Sequence, residues 1–176
     1  MPACISDTSI GDSKQGEGSM DEVALIASIT GAFEGSETVV ADGNTFFFTG
    51  SDHMFPFATL VTNDEYETVS DLSRPGIFRL NIGVGKETFR AHFGTETAFP
   101  DMNAGVGAIP GNYDFAALDR LLPHPVYGRQ FWVCILNPSA ATFDTAIMPL
   151  LAEAYDLAVE RDARRAATAA KRAARD

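Results

Sequence analysis

The strongest constraint on the fold is an alternating block between Pro75 and Gly85. Its apolar residues occupy every second position, and the positions between them hold an arginine, an asparagine and a glycine. Because successive side chains of a β-strand point to opposite faces, the block predicts a strand with one apolar and one selectively polar face. The apolar face is Phe78, Leu80, Ile82 and Val84; the other is Arg79, Asn81 and a gap at Gly83. A solvated face more often carries Thr, Lys or Glu, so we interpret the second face as the lining of a site.

Charge is distributed unevenly along the chain. The 176 residues carry a formal net charge of −11, but residues 161–176 hold six basic side chains against two acidic ones. This segment has a balance of +4, so the other 160 residues carry −15. An acidic body repels the phosphate backbone of nucleic acids, which makes nucleic acid an unlikely partner of the folded core. The basic segment is the one exception.

Composition divides the chain into three parts. Residues 1–18 are rich in Ser, Gly and Asp and nearly lack large apolar groups, which predicts a disordered leader. The length and the 45% hydrophobic content predict a single domain with its own core over residues 19–160. Residues 161–176 form a basic Ala/Arg-rich tail that is helical by propensity but has little to bury, so we expect it to fray.

Strand signals alternate with turns in the first half of the domain. Asp-Gly at 42–43 predicts a tight hairpin between strands at Val39–Val40 and Phe46–Phe48. Further strands are predicted at residues 57–62, 77–84 and 131–136, of which the last is apolar on both faces and therefore covered. The predicted fold class is α+β, with an antiparallel sheet of about five strands and helices packed on one face.

Helix signals flank these strands. Ser19 and Glu22 fit a capping box that begins a first helix ending at Gly31 or Gly35. A short helix is predicted from Lys86 to Phe93, ending at Gly94, and one or two helical turns are expected at residues 115–122. A final helix carries Pro149 in its first turn or is kinked by it. Its apolar face is Phe143, Ile147, Leu150, Leu151, Ala154 and Ala158.

Two loops are long enough to serve a site. Residues 63–74 form a polar loop between predicted strands, and about 18 residues rich in Gly, Ala and Pro follow Gly94 as a candidate lid. The two cysteines, Cys4 and Cys134, give no metal-binding spacing, and we expect Cys134 to be a buried, inert thiol. With no apolar run of spanning length and no secretion signal, we expect a cytoplasmic protein with no membrane partner.

Several segments resemble those of an uncharacterised bacterial family of unknown function, over roughly residues 20–160. They are FPFATLVT, the block from Arg74 to Gly85, the run Leu121 to Tyr127, Trp132 to Pro138, and Leu150 to Tyr155. The order of elements is similar, more distantly, to the MmcQ/YjbR-like fold. That second resemblance implies an α+β domain with a double-wing DNA-binding arrangement, which conflicts with the acidic core.

The candidate catalytic residues lie in a rigid turn. His124 stands between two prolines, which fix the backbone around it, and Tyr127 follows closely. Either residue is a candidate for proton transfer, whereas the alternative is that His124 hydrogen-bonds a neighbouring carbonyl and only pins the loop. The candidate ligand-binding residues are Arg79, Asn81, Gln130 and Trp132. The alternative for Arg79 is an internal ion pair with one of the 24 acidic side chains.

No cofactor is indicated by these residues. His53, His92 and His124 lack the spacing of metal ligands, so we predict no metal site. Gly83 to Thr88 only superficially matches a phosphate loop and is read as a strand-to-helix turn.

Three functions stay open at this point. The first is a domain that binds a small organic molecule carrying an anionic or carbonyl group, with cofactor-independent acid/base catalysis as a candidate activity. The second is an interaction or nucleic-acid-binding module that acts through the basic tail. The third is a stability or partner protein with no ligand. The sequence leaves the ligand and the oligomeric state undetermined.

Overall fold

An antiparallel sheet of six strands forms the frame of the molecule. The computed structural model describes residues 18–50, 53–97 and 113–174. The spatial order of the strands is β1-β2-β3-β4-β6-β5, with every neighbouring pair antiparallel. Their bounds are β1 Glu37–Ala41, β2 Asn44–Phe48, β3 Ala58–Val61, β4 Arg79–Gly83, β5 Leu122–Pro123 and β6 Trp132–Leu136. The α+β class is confirmed.

The strand number differs from the predicted five because of β5. This strand is only two residues long, and it pairs Leu122 with Cys134 and Pro123 with Val133. Proline has no amide hydrogen to donate and is tolerated in sheets only at an edge, which is where β5 lies. One or two helical turns were expected at residues 115–122; instead Asp119 has a φ of 53° and its amide bonds to the Leu136 carbonyl. That expectation was wrong, because pairing with β6 outweighs the local helical propensity.

Turn chemistry determines the first hairpin. The register pairs Ala41 with Asn44, so Asp42 and Gly43 alone connect β1 and β2. Both have positive φ, 51° and 75°, as a two-residue turn of this kind requires. The predicted Asp-Gly hairpin is confirmed.

Helix α1 (Glu22–Ala32) begins later than the capping-box prediction. Its N-cap is Asp21, whose carboxylate accepts from the Ala24 amide at 2.7 Å. Ser19 lies outside the helix in a β-bridge with Ser139, so the predicted cap at Ser19 was wrong. A nearby aspartate is as good a cap as a serine, and the bridge to Ser139 occupies the serine instead.

The helices pack on one face of the sheet. Helix α2 (Lys86–Thr97) bends at Gly94, where φ is 80°. Together with α1 and the C-terminal helix α4 (Met148–Ala173), it covers the apolar side chains that alternate along β3, β4 and β6. That sheet face contributes Ala58, Leu60, Leu80, Ile82, Val133 and Ile135 to the core. The predicted alternation of β4 is confirmed on this side.

The C-terminal helical segment passes through a π-helical turn. Short helix α3 (Ala140–Thr142) leads into π-helical residues Phe143–Ile147 and then into α4. Pro149, at the start of α4, has no amide to donate to the preceding turn, and the π-turn lies directly before it. The buried residues of this segment are the predicted ones, Phe143, Ile147, Leu150, Leu151, Ala154 and Ala158.

Helix α4 continues to Ala173, through most of the basic segment that we expected to fray. Its Asp162 carboxylate accepts from the Thr49 hydroxyl, and the Arg161 guanidinium donates to the Phe55 carbonyl at 2.7 Å. These contacts supply the partners that the alanine-rich composition does not reveal. No helix in the described ranges is both long and apolar enough to span a membrane. The predicted leader and most of the predicted lid lie outside the described residues.

Candidate functional site

The sheet face opposite the helices holds a cavity of about 550 Å³. The pairing register of β2, β3 and β4 places three side chains side by side at the centre of the cavity. Phe46 pairs with Thr59, and Thr59 pairs with Asn81. Two loops and the turn after β5 complete its walls. The lining residues are Asn44, Phe46, Phe55, Pro56, Thr59, Val61, Tyr66, Glu67, Arg79, Asn81, His124, Val126, Tyr127 and Trp132.

The floor of this cavity is a hydrogen-bonded polar network. Arg79 donates from Nε to Asn81 Oδ1 at 2.8 Å and from Nη1 to the Ser70 hydroxyl at 2.6 Å. Asn81 in turn donates from Nδ2 to the Thr59 hydroxyl at 2.9 Å. All four side chains are buried, so the partners offset the cost of removing polar groups from water.

Arg79 also forms an ion pair with Glu67, which lies in the polar loop between β3 and β4. Their side chains are 3% and 9% exposed. Glu67 itself accepts from the amides of Val69 and Ser70, which orders the loop around the carboxylate. The sequence left two roles open for Arg79, an internal ion pair or ligand binding. The ion pair is present, and Arg79 also lines the cavity. Its Nη2 has no hydrogen-bond partner among the described residues.

His124 is held by the turn that follows β5. Its Nδ1 accepts hydrogen bonds from the amides of Val126 and Tyr127, both at 3.0 Å. Its own amide donates to the Trp132 carbonyl at 2.9 Å, which ties the turn to β6. The ring thus pins the loop as the alternative reading proposed, although it accepts from amides where we expected a bond to a carbonyl.

Burial and the nearby Arg79 guanidinium together hold the pKa of His124 well below its usual range. Both causes disfavour a second proton on the ring. Because Nδ1 accepts two hydrogen bonds, the single proton of the neutral ring lies on Nε2. In this state His124 offers the cavity a hydrogen-bond donor. It offers no free basic nitrogen, which weakens the candidate role of this residue in proton transfer.

Aromatic side chains form the walls. Trp132 pairs with Gly83 across β4 and β6, and a Cβ added at Gly83 would lie 3.2 Å from the indole ring. The gap that the sequence shows at Gly83 therefore makes room for Trp132. Phe55, Tyr66 and Tyr127 stand at the mouth and are each at least half exposed.

The wall at Phe55 is supported by α4. The guanidinium carbons of Arg161 and Arg165 lie 5.3 and 5.5 Å from the centre of the Phe55 ring. Stacking of this kind between cations and an aromatic face is attractive. Two arginines of the predicted basic Ala/Arg-rich tail thus help to position the cavity mouth.

The structure brings five of the six predicted site residues to this one cavity. They are Arg79, Asn81, His124, Tyr127 and Trp132. Gln130 is not among the lining residues; it is exposed in a 3₁₀ turn (Gly128–Gln130), where its amide bonds to the Tyr127 carbonyl. Sequence reasoning missed Glu67, Tyr66 and Phe55. The unusual length of loop 63–74 was the available signal for the first two.

The remaining chemistry-bearing residues lie elsewhere. His53 bonds to Glu37 at 2.7 Å, and His92 is exposed on α2. Within the described ranges no three His, Cys, Asp or Glu side chains converge as a metal site needs. Cys134 is buried, and that burial raises the pKa of its thiol to about 12, as expected of an inert cysteine.

A second cavity, of about 870 Å³, lies between the start of α1 and residues 72–78. Its one arginine, Arg74, is occupied by the backbone carbonyls of Ser70, Asp71 and Ala116. Phe78 is the one aromatic residue in its lining, whereas five aromatic residues and His124 line the smaller cavity. The smaller cavity is therefore the better candidate site for an organic ligand.

Fold and site together define a class of protein: an α+β domain whose antiparallel sheet packs helices on one face and holds an aromatic-walled cavity on the other. The chain belongs to DUF6194, a family of unknown function whose family model matches residues 20–167. The predicted likeness to an uncharacterised family is confirmed at that level. Comparison with curated proteins gives no match, and comparison with solved structures gives none.

Proposed function

We propose that the protein binds a small, largely apolar organic molecule in the 550 Å³ cavity on the open face of the sheet. The observation that carries the proposal is the combination of aromatic walls with a few convergent polar groups on a buried floor. Ligand sites of proteins have this composition and range from about 300 to 1,000 Å³. Arginine and histidine are seldom buried in a sheet face that only contacts solvent, whereas Arg79 and His124 are both buried and line this cavity.

The acid/base activity is a narrower proposal. Tyr127 stands at the mouth with its ring 5.0 Å from that of His124, centre to centre. His124 is committed through Nδ1 to the turn, so any reaction here is better supported as polarisation of a bound group than as proton removal by the imidazole.

The alternative function, an interaction or nucleic-acid-binding module, has less support. Arg161 and Arg165 contact Asp162 and Phe55 of the same chain, which reduces the basic surface offered to phosphate. The MmcQ/YjbR-like arrangement, a bacterial source and a cytoplasmic location remain predictions from sequence.

The test uses Trp132, the one tryptophan of the chain, as a reporter inside the cavity. A library of small aromatic compounds is titrated while Trp132 fluorescence and amide NMR signals are followed. We expect compounds that bind to shift the signals of cavity residues such as Asn81. We also expect Val126→Phe, which places a larger side chain in the cavity, to abolish that binding.

Val23→Phe is the matched control. Val23 is exposed on α1, a helix on the opposite face of the sheet, so the same chemical change there leaves the cavity open. Binding that persists in Val126→Phe, or that disappears equally in both variants, would refute a site in this cavity.

A further inference from the structure

We propose that the group recognised in this cavity is an uncharged carbonyl oxygen, which accepts hydrogen bonds from His124 Nε2–H and Arg79 Nη2–H together. This inference rests on the proposed function and narrows its ligand class. It selects ketones, amides and esters over carboxylates and phosphates.

The tautomer of His124 supplies the first donor. Two backbone amides donate to Nδ1, so a proton on that nitrogen would face two hydrogens and is excluded. The proton of the neutral ring is thus confined to Nε2. The residue is 3% exposed and lines the cavity, and no described residue accepts from Nε2. Nε2 is accessible from the cavity, so a ligand bound there can supply the acceptor.

Arg79 supplies the second donor from the neighbouring strand. Nε and Nη1 are used by Asn81, Ser70 and Glu67, which orients the planar guanidinium and leaves Nη2 for a ligand. Arg79 is 3% exposed and lines the same cavity as His124. A carbonyl oxygen has two lone pairs and can therefore accept one hydrogen bond from His124 and one from Arg79.

Charge decides between a neutral and an anionic ligand. The Arg79 charge is compensated by Glu67, which itself lines the cavity. His124 is neutral, because two amides donate to Nδ1 and burial holds its pKa well below the usual range. An incoming carboxylate would lose its hydration and meet the Glu67 carboxylate without a net positive charge to offset either cost. A carbonyl oxygen uses the same donors without that penalty.

The experiment compares three probes of similar size: acetophenone, benzoate and ethylbenzene. Their affinities are measured by NMR titration for the full chain and for His124→Asn. The asparagine Oδ1 stands where Nδ1 did and accepts the two turn amides, as Asn side chains do in turns, but the variant lacks the Nε2–H donor. Thermal melting and amide spectra establish that its turn is intact.

We expect the ratio of acetophenone to ethylbenzene affinity to fall about fivefold or more in His124→Asn, as the loss of one hydrogen bond predicts. Benzoate should bind the unmodified protein at least tenfold more weakly than acetophenone. An unchanged ratio, or benzoate binding as tightly as acetophenone, overturns the inference. Ethylbenzene binding in the cavity under either of those results leaves the proposed function standing, whereas absence of binding by all three probes overturns both.

A second measurement does not depend on the variant. Long-range proton–nitrogen NMR correlations distinguish the two neutral tautomers of histidine from its cation. In the ligand-free protein near pH 7.5 we expect the His124 signals of the Nε2–H tautomer. The Nδ1–H tautomer would lack the donor on which the inference depends. The cation would keep that donor but would add the positive charge that favours an anionic ligand, so either result overturns the inference.

Discussion

Arg79 combines a structural and a site role in one side chain. It is the hydrogen-bonding centre of the cavity floor and the partner of the buried Glu67 carboxylate. Truncating it would leave that carboxylate without compensation, and breaking a buried ion pair from one side is strongly destabilising. Its effect on binding therefore cannot be separated from its effect on folding. His124→Asn is the cleaner probe of the same site because it retains the acceptor that the turn needs.

His124 makes stability depend on pH. Its pKa is lowered in the folded protein by burial and by Arg79, whereas in the unfolded chain it is about 6.5. As the pH falls below about 6.5, the unfolded chain takes up a proton that the folded protein does not. We expect the free energy of unfolding to be independent of this group above that pH and to fall by up to about 1.4 kcal/mol per pH unit below it. Urea unfolding between pH 8 and pH 5 measures the slope.

The control for this prediction is His124→Asn. His53 and His92 remain in the variant, so only the contribution of His124 is lost. We expect a shallower slope between pH 6.5 and 5 in the variant. Equal slopes would mean that His124 is not buried as a neutral ring.

At the scale of elements, the C-terminal half of α4 acts as a brace for the cavity mouth. Arg161 and Asp162 contact residues 49 and 55, which belong to the segment between β2 and β3. Burial alone would raise the pKa of Asp162, but the Thr49 hydroxyl and the two adjacent arginines lower it overall. The helix therefore stabilises the segment that presents Phe55, although it adds little apolar surface.

Truncation separates this brace from the exposed end of the helix. Deleting residues 161–176 removes the contacts to Thr49 and Phe55, so we expect the free energy of unfolding to fall by about 1–3 kcal/mol. Deleting only residues 166–176 removes exposed side chains in the described part of that segment, and we expect a change within about 0.5 kcal/mol. Urea denaturation of both shortened proteins provides the measurement. Equal effects of the two deletions would contradict a brace at residues 161–165.

At the scale of the whole molecule, charge opposes nucleic-acid binding. The chain carries −11, and Arg161 and Arg165 interact with Asp162. We expect neither the full chain nor the 1–160 protein to bind a labelled DNA duplex measurably at 150 mM salt, since affinity for nucleic acid comes largely from phosphate contacts. Fluorescence anisotropy measures this. Salt-dependent binding by the full chain that the deletion abolishes would favour the alternative function instead.

Strand alternation, turn chemistry and helical periodicity were sufficient to predict the main strands and helices of the molecule. The alternation around Leu80 predicted which face of β4 joins the core, because side chains of a strand alternate whatever surrounds them. Asp42-Gly43 predicted the hairpin because few residue pairs adopt two successive positive φ angles. The apolar face of the C-terminal helix followed from helical periodicity in the same way.

Features that depend on contacts between distant segments were decided by the tertiary structure. The two-residue strand β5, the cap at Asp21 and the brace at Arg161 all depend on which distant segment lies beside them. The sequence by itself marked Arg79, Asn81, His124, Tyr127 and Trp132 by residue type and local geometry. That Glu67 neutralises Arg79, and that two amides confine the His124 proton to Nε2, follow only from three-dimensional contacts. A side chain's charge and tautomer are determined by the atoms around it, and these come from parts of the chain that sequence spacing does not relate.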